Sequence, residues 1–201
     1  MSVFPDTPVS MLARIAKNVT GESESVWAQF FGMYQAPIVK FAEYVGARND
    51  GEDVAQEIFM KLVKILENGE YRPERGKFRA YLSQLIRNTV IKRWHKAKVR
   101  GADMMVSLND DDNPLEIGVE SETAAILDAK WNMALRESAI DHVLNRTALS
   151  RQSRDVYKAY VLEERPIAEV AKAFGLANNS ISQIKTRVER MIAKFEAAYK
   201  E

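Results

Sequence analysis

The stretch RGKFRAYLSQLIRNTVIKRWHKAK, Arg75 to Lys98, decides how the chain is read. Leu82, Leu85, Ile86, Val90 and Ile91 recur at the spacing that puts apolar side chains on one face of an α-helix. The remaining face is basic, with Phe78, Tyr81 and Trp94 set among the cations. Such a helix is either a solvated surface element or a holder of an anionic polymer with flat bases, since lysine and arginine neutralise phosphates and rings stack on bases. Trp94 is open to two readings, as a core anchor or as a DNA contact.

Helical periodicity extends in both directions from this stretch. Upstream, Val26, Phe30, Phe31 and Tyr34 form a stripe that Ile38, Phe41, Ala42 and Val45 continue past Pro37, where a bend or break is expected. In NDGEDVAQEIFMKLVKILENG, the acids Asp50, Glu52 and Asp53 suit a helix start, and Val54, Ile58, Leu62, Ile65 and Leu66 form an inner face. Asn68-Gly69 ends that helix, and YRPERG reads as a tight connection. Downstream, a helix carrying Ala125, Ile126, Trp131, Ala134, Leu135, Ile140 and Val143 is followed by another for which Ser150 is the N-cap candidate. No convincing strand alternation occurs, so the expected fold class is all-α, in two small helical domains.

Composition narrows the function. The chain of 201 residues has a formal net charge of +1 and is 46% hydrophobic, which suits a globular core. It contains no cysteine, which excludes disulfides, a thiol nucleophile and thiolate metal sites. Only His95 and His142 offer imidazoles, and the Asp110, Asp111, Asp112 cluster lacks a calcium-loop pattern, so no metal is expected. Asp141 and His142 are neighbours on a helix and point apart, and neither a phosphate loop nor a dinucleotide fingerprint occurs. No enzyme activity, cofactor or small-molecule substrate is therefore expected. The amino terminus lacks a signal-peptide apolar run and no segment suits a membrane span, so the default location is the cytoplasm.

The near-neutral charge hides segregation. Arg72, Arg75, Lys77, Arg79, Arg87, Lys92, Arg93, Lys96, Lys98 and Arg100 face only one acid, Glu74, between residues 71 and 100. From Gly101 to Asp128 the acids Asp103, Asp110, Asp111, Asp112, Glu116, Glu120, Glu122 and Asp128 run without a lysine or arginine. Adjacent blocks of opposite sign imply different partners for different parts of the chain. Pro114 and weak periodicity mark residues 101–124 as a linker between a domain at 10–100 and another at 125–201.

PIAEVAKAFGLANNSISQIKTRVERM, Pro166 to Met191, reads as a helix-turn-helix at 166–188. Pro166 can open a helix, Gly175 suits the residue after a helix end, and Leu176 packs back into the corner. Ala171 is small where the helices cross, and Ile181, Ile184 and Val188 point inward. The outer face of the second helix shows Asn179, Ser182, Gln183, Thr186, Arg187 and Arg190, with Lys185 flanking it. This is the layout of a major-groove recognition helix, although an ordinary helical hairpin with a polar face shares part of it.

GEDVAQEIFMKLVKIL, YRPERGKFRAYLSQLIRN, the basic helix, the acidic linker and the helix-turn-helix together resemble bacterial sigma-70 family factors of the small extracytoplasmic-function type. The resemblance runs from about Val26 to Ala198. It implies a promoter-recognition subunit that binds core RNA polymerase, through the β′ clamp helices and the β subunit, and melts promoter DNA. It assigns core binding to Asp53, Gln56, Glu57, Phe59, Met60 and Lys61. It assigns minus-ten DNA binding to Arg75, Lys77, Phe78, Arg79, Tyr81, Arg87, Asn88, Lys92 and Arg93. It assigns minus-thirty-five DNA binding to Asn179, Ser182, Gln183, Lys185, Thr186, Arg187 and Arg190. Common relatives carry tryptophan at the Tyr81 position; tyrosine still stacks but changes the base pocket. In relatives the linker threads the polymerase cleft, where the three aspartates would mimic nucleic-acid charge, and an anti-sigma factor is a further candidate partner.

The chief alternative is a stand-alone helix-turn-helix regulator that binds duplex DNA as a dimer. It accounts for the carboxy-terminal motif and leaves the aromatic-basic helix without a role. A sigma-like adaptor that docks on polymerase without initiating is disfavoured by the retained basic and aromatic residues.

Overall fold

The computed structural model describes residues 11–12, 23–72, 76–100 and 121–199. Arg75, Asp110, Asp111, Asp112 and nearly all of the expected linker lie outside the described residues. The described residues form α-helices: α1 (Ser23–Ala42), α2 (Gly51–Glu67), α3 (Phe78–Arg100), α4 (Ser121–Arg146), α5 (Arg151–Tyr157), α6 (Ile167–Phe174) and α7 (Asn178–Ala197), with short π- and 3-10 segments between some of them. No strand occurs among them. The expected all-α class is what is observed.

The chain divides into two compact units, one through Leu135 and the other from Arg136 to Lys200. In the first unit α1, α2 and α3 pack against one another. Val26, Phe30, Tyr34, Ile38 and Phe41 of α1 are buried at successive turns, facing Val54, Ile58, Leu62, Ile65 and Leu66 of α2. The α3 contribution is Phe78, Leu82, Leu85 and Ile86, each at most 2% exposed. Ile91, expected inward, reaches 36% exposure near the far end of the helix.

Two local expectations differ from the structure. Helix α1 runs through Pro37 without ending there. The burial of Ile38 and Phe41 immediately afterwards holds the segment helical despite the missing amide. The break comes later, in the π-segment Glu43–Ala47, where Gly46 takes φ 118°, a conformation that only glycine adopts without strain. The second difference is the domain boundary. Residues 125–135, expected in the second domain, belong to the first unit. Leu127, Trp131 and Ala134 bury one stripe of α4, and the Trp131 ring meets Phe41 at 5.5 Å and Tyr34 at 6.5 Å.

In the second unit the end of α4 joins α5, α6 and α7. Ala139, Val143, Leu144 and Leu149 pack with Tyr157, Val188 and Ile192. A second cluster, Val156, Ala159, Val170, Ala171 and Ile181, seats α6 beneath α7. Ser150 caps α5 as expected, accepting from the Ser153 amide at 3.2 Å. Helices α6 and α7 meet at a tight corner: Gly175 is left-handed at φ 63°, and the Leu176 amide donates to the Ala171 carbonyl at 2.9 Å.

Phe78 is the largest departure at side-chain level. It was expected to offer a ring to an unstacked base, and it is instead 1% exposed. Phe78→Ala should therefore lower the stability of the first unit by about 3–5 kcal/mol, the cost of emptying a buried aromatic site. Urea denaturation followed by circular dichroism measures it; a loss below about 1 kcal/mol, the range of surface substitutions, would return Phe78 to the surface.

Candidate nucleic-acid and partner interfaces

The six expected core-binding residues on α2 do not share one face. Phe59 points inward, packed on Phe30 at 6.2 Å and Phe31 at 4.3 Å, so it offers no outer contact. Glu57 and Lys61 are half-buried against α3. Lys61 Nζ lies 3.1 Å from Glu57 and donates to Thr89 Oγ1 at 3.1 Å. Arg93 of α3 completes the set, with Nη1 3.3 Å from Glu57 and Nη2 3.9 Å from Asp53. Pairing of Glu57 with Arg93 and of Lys61 with Thr89 shows that α2 and α3 run antiparallel. The outward part of the face is Asp53, Gln56 and Met60, and Met60 is 64% exposed. A bare thioether ringed by polar groups is a usual anchor for a partner helix.

The basic helix α3 sorts its expected DNA contacts into three groups. Lys77 is exposed, and Arg87 is half-exposed with no ion pair among the described residues. Tyr81 is half-exposed beside Tyr71, ring centroids 5.5 Å apart, and this tyrosine pair marks where the loop enters the helix. Tyr71 was absent from the expected site, although an aromatic just before the Arg72-Pro73 loop is a signal that could have found it. The second group is already engaged: Arg79 by Asp128 at 3.4 Å, Arg93 by the α2 acids, and Asn88 by a hydrogen bond from Gln84 Nε2 at 3.1 Å. Lys92 is half-buried. The third group is Phe78, which is core. Trp94 is 60% exposed, which decides against a core anchor; Lys98 Nζ stands 5.3 Å from its ring centroid and His95 lies edge-on at 5.4 Å.

Among the described residues no group of three or more His, Asp or Glu could hold a metal ion, and no helix is long and apolar enough to cross a membrane.

The outer face of α7 is polar. Asn179, Ser182, Gln183, Lys185, Thr186, Arg187 and Arg190 are all exposed, while Ile181, Val188 and Ile192 are buried beneath them. Two hydroxyls are satisfied on their own helix, Thr186 Oγ1 donating to the Ser182 carbonyl at 2.9 Å and Ser182 Oγ to Asn178 at 3.3 Å. Gln183, Lys185, Arg187 and Arg190 are the long side chains of that face. Lys185 Nζ sits 5.6 Å from the Tyr160 ring centroid, at the flank of the face.

A polar cluster sets the rotation of α7. Arg136 of α4 bonds Glu189 and lies 3.4 Å from Glu196, while the Tyr157 hydroxyl donates to the other Glu189 oxygen. Burial raises the affinity of the Glu189 carboxyl for its proton, but the Tyr157 and Arg136 hydrogen bonds and the Arg136 and Lys185 charges together outweigh it, and the pKa falls below 4.5. Burial and the adjoining Glu189 carboxylate push the Tyr157 phenol up. A lowered carboxylate pKa stabilises the fold above the ordinary value of 4.5 and loses that contribution as pH falls through the lower folded value. Arg136→Met should thus cost about 1 kcal/mol, discounted for a guanidinium that is 39% exposed, and should flatten the acid limb of a pH–stability curve. An unchanged acid limb in urea titrations would remove Arg136 from this role.

Comparison with protein families matches residues 30–100 to the family described as Sigma-70 region 2. Comparisons with curated proteins and with solved structures return no match. The matched residues run from Phe30 to the end of α3, and so include the later part of α1, all of α2 with its outer face, and the basic helix α3. Residues 30–100 are thus similar to Sigma-70 region 2, the domain of sigma-70 family sigma factors.

Proposed function

We propose that the chain is a sigma factor of the extracytoplasmic-function type, a non-catalytic subunit that binds core RNA polymerase in the cytoplasm and directs initiation at a promoter. The observation that carries this reading is the Sigma-70 region 2 domain followed, later in the same chain, by a helix-turn-helix with a polar exposed face. Asp53, Gln56 and Met60 dock on the β′ clamp helices, and the α2–α3 ion pairs hold their helix in place. Tyr71 and Tyr81 flank the base-capture site, with Lys77 and Arg87 at the phosphates. Stacking one base returns about 1–3 kcal/mol, comparable with the few kcal/mol needed to extrude it.

The α7 face reads the minus-thirty-five duplex, Gln183 and Arg187 supplying base contacts and Arg190 a phosphate contact. In this reading Asp110, Asp111 and Asp112 enter the polymerase cleft, and an anti-sigma factor regulates access. A dimeric helix-turn-helix regulator accounts for α6 and α7 alone and gives the region 2 domain no task.

Transcription with purified core polymerase on genomic DNA fragments tests the reading: addition of the chain should produce discrete start sites. A folded chain that yields none contradicts it. Within that assay, Tyr81→Ala should slow open-complex formation while leaving core binding intact, and Tyr81→Phe should restore it. Arg187→Ala should weaken upstream-element binding by about 1–3 kcal/mol, the worth of one bidentate base contact.

A further inference from the structure

Arg79 stands at the start of the basic helix, where the proposed function needs a phosphate ligand, and its guanidinium is already occupied. Nη2 lies 3.4 Å from the Asp128 carboxylate, and Nη1 donates to Asn132 Oδ1 at 3.4 Å. Both partners belong to the first half of α4, one turn apart. Other contacts seat that half-helix in the first unit. Trp131 is 1% exposed, against Phe41 and Tyr34, and Lys130 Nζ donates to the Tyr44 carbonyl at 2.9 Å. Asp128 is also the last acid of the run that begins at Asp103 and contains no lysine or arginine. Asp128 thus brings one acid of that run to the helix that carries most of the chain's clustered cations.

The polar contacts of this seat are open to competition. Trp131 Nε1 is buried with no acceptor among the described residues, and an unmade buried donor weakens the state that buries it. The Asp128 side chain is 52% exposed and that of Arg79 29%, so water and salt compete for the pair. A nucleic-acid phosphate offers Arg79 the same bidentate, charge-assisted geometry as a carboxylate.

We propose that the first half of α4 is an internal competitor for nucleic acid: Asp128 and Asn132 hold Arg79 in the free chain, and a phosphate displaces them when promoter DNA binds. The proposal rests on the proposed role of Arg79 in minus-ten binding. It gives the chain a brake on DNA binding in the absence of polymerase.

The test uses the full chain and fluorescein-labelled single-stranded DNA of randomised sequence, followed by anisotropy. Asp128→Asn with Asn132→Ala should bind about threefold more tightly than the parent, the ratio that an ion pair of median surface strength can withhold. In an Arg79→Ala background the same two substitutions should give no gain. Thermal melts establish that each variant is folded. Hydrogen exchange in the parent should accelerate over residues 124–135 when the oligonucleotide is added.

Several results would overturn the proposal. If Arg79→Ala weakens binding but the Asp128/Asn132 variant gains nothing, the competitor fails and the DNA role of Arg79 stands. A gain that persists without Arg79 is a bulk-charge effect and also overturns it. If Arg79→Ala changes binding in neither background, the role of Arg79 fails and the competitor falls with it. Exchange over 124–135 that is indifferent to DNA shows a permanent structural seat.

Discussion

Phe78, the first residue of α3, locks that helix against α1 in the first unit, its ring 5.9 Å from Phe30, 5.7 Å from Tyr34 and 5.6 Å from Tyr71. An α-helix turns by about 100° per residue, so burying one residue fixes the azimuth of its neighbours. With Phe78 inward, Leu82, Leu85 and Ile86 follow it into the core. Tyr81 then stands at the edge beside Tyr71, and Lys77 and Arg87 are left to solvent. The aromatic that looked like a DNA contact instead aims the residues that can be one. Its loss would rotate or loosen α3 and blur the tyrosine pair together with the cations around it.

Charge serves structure and function from one pool. Arg93, Glu57, Lys61 and Asp53 hold α2 to α3, although each is also of a type that partners and DNA recognise. These pairs are partly exposed, and such pairs contribute little net stability. Exchanging such a pair for a partner contact therefore costs little, which is the premise of the competition proposed for Arg79 and Asp128. The Arg136, Glu189 and Tyr157 cluster is the counterpart in the second unit, where the acid on α7 is paired within the fold. Near neutrality of the whole chain is thus compatible with a basic helix and a polar, exposed α7 face.

Features encoded within a few residues were legible in the sequence. Gly175, Leu176, Ile181 and Ile184 specify a corner by local backbone and packing demands, and the corner is as expected. The apolar stripes of α1, α2 and α3 and the Ser150 cap follow from the same short-range rules. What the sequence concealed depends on contacts between distant residues. A phenylalanine at a loop–helix junction has no local mark that separates a core role from a stacking role, so the burial of Phe78 is not legible in the sequence. Pro37 is tolerated because neighbouring burial outweighs one missing hydrogen bond. The place of Trp131 could not be read because α4 is one continuous helix shared by two cores, and periodicity does not say which core receives a ring. Arg79 and Asp128 meet only through that docking.

The proposed function requires this chain, in company with polymerase, to open promoter DNA. Permanganate reactivity of thymines in promoter complexes measures that opening directly, since only unpaired thymines react. With core polymerase and the chain together, a short run of thymines just upstream of the start site should become reactive, and Tyr81→Ala should diminish the signal while upstream duplex protection persists. A chain that joins the polymerase and protects duplex DNA but leaves every thymine unreactive would contradict the account.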